Sequence, residues 1–401
     1  MLKSLTCLAF LVCLTVPGLA NSTLEGHFYL SKQKYLAGEP VFLMFEVQNK
    51  GDQPVMIKTG NPWNFCGGYK IEVQGAKSLD SLGCQAGGGG SCGISYEVLK
   101  PGSKHIDRIL LNESYDLRQA GNYSLHVSHE LRYGASDEEG TMPFTDETRE
   151  RFDWEMEIVL EASRDGELRP EFQRYMLELH SDDARQRNEA ATVIANLAPI
   201  FMEREITRML DMPNLRYFGV RGLRNLGTPS AHRALLAFVK NSPPTQVSGA
   251  YQDAIRYLGE IGDANDLPVL LQAAHENSPG SYSQEVAMES AGRAGGDDAV
   301  PLLVEELKNT SVEVRQAAVR ALYLTGSRSA VPILIALLRS PDERVSGTAE
   351  FGLEVLTHHA ARQTNSTAAV SYWTWTQWWN IHRNKAEIFK YDQCGDVLPL
   401  D

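Results

Sequence analysis

The stretch Cys84-Gln-Ala-Gly-Gly-Gly-Gly-Ser-Cys92 places four consecutive glycines between two thiols. Three chemistries could use it: a phosphate cradle, half of a metal site, or a disulfide-closed loop. A phosphate loop ends in Gly-Lys-Ser/Thr and enters a helix, whereas Ser91-Cys92 leads into the strand-like Gly93-Ile-Ser-Tyr-Glu-Val-Leu99. Structural zinc needs two close ligand pairs, and Cys66 stands alone. The loop reading remains, with glycine supplying the backbone freedom and a cross-link the stiffness. Cys66, Cys84, Cys92 and Cys394 allow three pairings. Cys84–Cys92 with Cys66–Cys394 is favoured; the second bond joins two chains or, within one chain, requires the solenoid's far end to lie near the sandwich.

Other residues invite chemistry. His126-Val-Ser-His129-Glu130 suggests a metal, but residues three apart on a strand face opposite sides. The helical His-Glu-x-x-His spacing is absent, so both are expected as sheet-surface histidines. His358-His359 closes a helix and reads as favourable charge at the dipole's C-terminal end. Arg221, Arg256, Glu289 and Arg320 form a charged column that either binds a partner or pairs between neighbouring repeats. Trp375, Trp378 and Trp379 share one helical face, as a sugar platform or as indoles buried in a capping helix. The cap is expected, because terminal repeats need one. No Ser/His/Asp, Cys/His or paired-carboxylate set has local support. No catalytic residue, metal ligand or cofactor is therefore expected.

Two textures must position these groups. Over residues 24–162 the pattern has period two: Tyr69, Ile71 and Val73 alternate with polar residues, as do Phe152, Trp154, Met156, Ile158 and Leu160. Turn signals such as Ala37-Gly38-Glu39-Pro40 separate the runs, which argues for an antiparallel β-sandwich. After a linker at 163–168 the periodicity is helical over 169–362, followed by a Trp-rich cap and tail at 363–401. Gly227, Gly262, Gly295 and Gly326 recur 35, 33 and 31 residues apart. Pro268, Pro301 and Pro332 each open an apolar helix, where a missing N–H costs no intrahelical bond. A period of this length means a stacked helical-pair solenoid of five to six repeats.

The 401 residues suffice for several domains, and 43% hydrophobic with 22% charged residues is an ordinary globular composition. A net charge of −13 works against nucleic acid and anionic lipid as partners. Residues 1–20 read as an export signal: Lys3, an apolar run from Leu5 to Val16, and Gly18-Leu19-Ala20 for cleavage. That run is too short to span a bilayer. The expected location is periplasmic or secreted.

Two resemblances follow. Tyr35-Leu-Ala-Gly-Glu-Pro-Val-Phe-Leu-Met-Phe-Glu-Val47 is similar to the opening strands of immunoglobulin-like modules of exported bacterial proteins, and Tyr123 matches a tyrosine corner. Ser311 to Val345 resembles the HEAT-like repeats named after phycobilisome lyases. The resemblance implies a multidomain all-β plus all-α chain, an Ig-like sandwich followed by a HEAT-like α-solenoid. It implies a scaffold and not the enzymatic name. Packing of similar repeats would place His275, Glu305, Glu306 and Lys308 of the second helices on a concave protein-binding face. Alternatives are glycan or cell-wall binding through the sandwich and Trp63 or Trp373, or an envelope enzyme or inhibitor.

Overall fold

The computed structural model describes residues 23–59, 68–79, 95–135, 147–164, 166–242, 249–359, 368–391 and 397–398. All six cysteines, Trp63 and the cleavage region around Ala20 lie outside these residues. Neither the disulfide pairing nor the export signal is therefore described.

The N-terminal half forms two sheets. The first holds β1 (Leu24–Leu30), β3 (Phe42–Asn49) and β8 (Lys104–Leu110) in the order β1-β3-β8. The second holds β2 (Lys34–Leu36), β11 (Thr148–Glu161), β10 (Gly121–Ala135), β4 (Val55–Thr59) and β7 (Ser95–Leu99), in that order. Strand β5 (Tyr69–Gln74) also pairs with β10, and β6 (Lys77–Ser78) pairs with β9 (Tyr115–Asp116) as a separate ribbon. The chain changes sheets between β1 and β2, and β2 runs parallel to β11, so the second sheet is not purely antiparallel as expected.

Apolar side chains from both sheets share one core. The Phe45 ring of β3 lies 4.8 Å from that of Phe28 and 5.4 Å from that of Phe152 on β11. Alternation works on β5, where Tyr69 and Val73 are buried and their neighbours exposed. It fails at Trp154, which is 42% exposed in the middle of β11. Tyr123 Oη donates to the Gln119 carbonyl at 2.9 Å, pinning the turn into β10.

The C-terminal half is a run of helices in two rows. One row holds α2 (Ala184–Leu197), α4 (Arg216–Leu226), α6 (Gly249–Ile261), the first part of α8 (Tyr282–Glu306), α9 (Val312–Leu324) and α11 (Glu343–Thr357). The other row alternates with it in sequence: α1 (Arg169–Glu178), α3 (Glu203–Met209), α5 (Pro229–Asn241), α7 (Leu267–Glu276), the second part of α8, α10 (Ala330–Leu337) and α12 (Ala368–His382). Such alternation makes each pair bury its apolar stripe against the next.

Left-handed or otherwise positive-φ caps end the first-row helices. They fall at Gly227, Gly262 and Gly326 as the spacing suggests, but at Gly296 and not at Gly295. Gly295 instead allows close packing: a Cβ there would stand 2.7 Å from Ala299 Cβ. Ala198 (φ 41°) and His358 (φ 51°) take the same position without glycine, which hid these end repeats from glycine spacing. A left-handed alanine costs about 1–2 kcal/mol, and glycine's greater unfolded entropy returns about 0.5–1 kcal/mol of that. Ala198→Gly should therefore leave stability unchanged or raise it by up to about 1 kcal/mol in a urea melt.

The two halves share apolar contacts. Phe42 and Leu110 of the first sheet belong to the helical core. Arg108 stacks 4.7 Å over Phe42 and reaches Glu189 of α2 at 2.9 Å.

Candidate functional site

Second-row helices present the residues expected on a binding face. His275, at the C-terminal end of α7, contacts Glu306 Oε1 through Nε2 at 2.8 Å, linking consecutive repeats. Lys308 pairs with Glu305 one helical turn away at 2.7 Å. The side chains of His275, Glu305 and Lys308 are 54%, 65% and 68% exposed, but that of Glu306 only 14%. Exposed pairs of this kind contribute little to stability, about 0–1 kcal/mol, so a partner can replace them cheaply. Arg233 and Lys240 on α5, Gln272 on α7, Leu302 on α8 and Arg339 after α10 continue the exposed surface.

The charged column behaves differently. Arg320 is held between Glu285 and Glu289, both at 2.9 Å, and the side chain is 19% exposed. Arg256 meets Asp253 at 2.8 Å, and Arg224 reaches Glu260 of the next repeat at 3.1 Å. Arg221 crosses to Glu113 of the sheet half at 2.9 Å, with 10% of its side chain exposed. These cations stitch repeats together and are not a free stripe. The Arg221–Glu113 contact lines a cleft of about 280 Å³ between the halves, with Lys77, Asp116, Arg118 and Arg224 also on its wall. Burial pushes the Glu113 pKa up despite Arg221, and Arg221 Nε is buried without a hydrogen-bond partner.

The histidine expectations need correction. His126 is exposed, but His129 is only 3% exposed, in the core between the sheets. It stacks on Tyr69 at 4.0 Å with its ring edge-on to Phe45. The signal was present: His129 shares the parity of Tyr123, Leu125, Val127 and Leu131, the buried face of β10. Tyr69 donates to Asp107, and His105 bridges Asp107 at 3.0 Å and Glu97 at 2.7 Å, so a polar chain joins the two sheets. Burial lowers the His129 pKa to about 4. Burial acts the same way on His105, but Asp107 and Glu97 outweigh it and raise the pKa.

His358 and His359 likewise act as plates more than as charges at the helix end. His358 stacks on Phe389 at 3.7 Å and contacts the Tyr391 hydroxyl, holding the tail against α11. His359 stacks on Trp378 at 4.4 Å, and burial lowers its pKa. Trp375 is 0% exposed and Trp378 and Trp379 are half-buried, so this tryptophan face covers the last repeat. Only Trp373 of this helix, 61% exposed, presents an open indole.

One cluster had no sequence signal. His232, Asp263 and Asp266 bring a nitrogen and two carboxylate oxygens within 4.8 Å of one another. Their spacing matches no ligand motif, because stacking of α5 against the turn before α7 creates the proximity.

The family profile described as HEAT repeats matches residues 277–354, from just past α7 into α11. A HEAT-like helical solenoid thus follows an N-terminal β-sheet region. No curated protein sequence matches the chain. Among solved structures, the CpcE–CpcF complex of phycocyanin lyase from Nostoc is similar at 18% identity, covering 52% of this chain and 82% of that one, with a TM-score of 0.28. A chain from a study of the cadherin–beta-catenin interaction shares 18% identity over 48% of this chain and 45% of that one, at a TM-score of 0.26. The native conformation of E. coli alpha-2-macroglobulin gives 11% identity over 88% and 26%, at 0.19. None of these superpositions is close enough to bear on what this chain does.

Proposed function

We propose that this chain is an exported, non-catalytic scaffold that binds a protein partner through the second-row helices of its solenoid, with an immunoglobulin-like sandwich at its N-terminal end. The contrast between the two rows carries the reading. Arg221, Arg224, Arg256 and Arg320 of the first row are consumed in partly buried pairs, whereas the paired His275, Glu305 and Lys308 side chains stay more than half exposed between α5 and α10. Stacked helical pairs offer long surfaces for extended partners. The Tyr123 bond and the sheet change between β1 and β2 support the immunoglobulin-like assignment. The apolar run before Ala20 supports export, and among the described residues no helix is long and apolar enough to cross a membrane.

Swapping one exposed pair tests this without disturbing the fold. Glu305→Lys combined with Lys308→Glu keeps the intrahelical pair and reverses the pattern a partner meets. Partner capture from the native envelope or secreted fraction should weaken at least tenfold, with an unchanged melting curve. Equal capture would remove this face from the reading.

Trp373 favours a second reading, glycan binding at the solenoid's end. Quenching of its fluorescence by cell-wall polysaccharide, lost in Trp373→Leu, would support that reading; unchanged emission would dismiss it.

A further inference from the structure

At three junctions between second-row helices, a carboxylate meets a residue at or near the start of a neighbouring helix. Glu203 accepts from Thr228 at 2.8 Å and from Ser230. Asp297 accepts from Ser327. One carboxylate and neutral hydroxyls therefore suffice to join these helices. Between α5 and α7 the chain places more: His232 Nε2 lies 2.6 Å from Asp266 Oδ2, and Asp263 stands beside both.

Asp266 is the innermost of the three. It is 1% exposed and sits at the N-cap of α7, yet its carboxylate makes no bond to the helix's free N–H groups. Asp263 caps this helix start by accepting from the Asn265 N–H, as Asp183 and Asp342 cap α2 and α11. Asp266 turns instead into the cluster. Two carboxylates thus converge on one imidazole.

We propose that His232, Asp263 and Asp266 bind one first-row divalent cation of the zinc class, bracing α5 against the turn before α7. One imidazole nitrogen with two carboxylate oxygens suits zinc, cobalt or manganese, whereas calcium and magnesium prefer oxygen alone. Ligands about 2.0–2.2 Å from a tetrahedral ion stand about 3.4 Å apart. Entry of the ion therefore lengthens the His232–Asp266 contact and draws Asp263 inward. Asp263 is partly exposed and held through Oδ1 by Asn265 at 2.9 Å, which leaves its other oxygen to move. Three protein ligands leave one position for water.

Full-length protein stripped with chelator and titrated with Zn²⁺ in a calorimeter tests the site, since thiols and other histidines elsewhere are common to wild type and variants. Asp263→Asn keeps the acceptor for Asn265, and His232→Gln removes the nitrogen ligand. The expected result is a one-equivalent event in wild type, weakened at least tenfold in both variants. The His232 Nε2 resonance of the wild type should shift at that same equivalent, a readout independent of how either variant folds. No such event, wild-type affinity in either variant, or an unmoved His232 resonance would overturn the assignment.

Discussion

Gly292→Ala should destabilise the solenoid by about 2 kcal/mol, although alanine is the better helix former. A Cβ at Gly292 would stand 2.3 Å from the Ala321 carbonyl oxygen and 2.9 Å from its carbon. That neighbour is backbone of α9, so no side-chain rotation relieves the contact. Overpacking costs about 1–3 kcal/mol and occasionally more, and the propensity gain of about 1 kcal/mol offsets part of it. Backbone separation places the cost at the upper end. The melting midpoint of a region this size falls about 2–4 °C per kcal/mol, so a drop of roughly 4–8 °C is expected by circular dichroism. Gly347→Ala is the matched control. Gly347 is exposed on α11 with nothing within 4 Å of a new Cβ, so the same change should stabilise by about 1 kcal/mol. Equal effects at the two positions would mean that α8 and α9 do not approach as closely as described.

Acid should weaken the sheet half through His129. Its folded pKa is about 4 against an ordinary 6.5. Between those values the unfolded chain takes up a proton that the folded core refuses. The contribution is complete above about pH 6.5, declines as pH falls and is gone below about pH 4. The difference amounts to about 3 kcal/mol. Tyr69 and Phe45 cover the ring, Asp107 and Glu130 favour its charge, and His105 opposes it. His105 carries the opposite sign: its raised pKa gives stability that is present below about 6.5 and lost as pH rises through the folded value. His129→Phe preserves the stack and removes the titration. Urea melts should show wild type losing about 3 kcal/mol more than His129→Phe between pH 6.5 and 4. Parallel profiles would place the acid sensitivity elsewhere.

Much of the helical half was legible because its middle repeats carry their own punctuation. Gly227, Gly262 and Gly326 take the positive φ that glycine adopts without strain, and Pro268 lies in the first turn of α7. At the ends Ala198 and His358 bear that strain themselves, so the period faded although the geometry continued. The period-two texture located strands but not their partners, because pairing β2 with β11 depends on contacts between residues 34–36 and 159–161. Alternation also indicated an inward His129, against which the expectation of a polar sheet surface prevailed. Long-range polar contacts were beyond reach. Arg221 and Glu113 are 108 residues apart, and His232 meets Asp266 only once α5 stacks on its neighbour.

The most direct test of the scaffold reading is lysine cross-linking of the full chain in its native fraction, mapped by mass spectrometry. Lys240 after the core of α5 and Lys308 after α8 are exposed on the second-row surface, whereas Lys70 and Lys104 report the sheets. Binding through the second-row helices predicts one specific protein cross-linked to Lys240 and Lys308. A partner joined only through Lys70 or Lys104, with both solenoid lysines unmodified by it, would contradict the account.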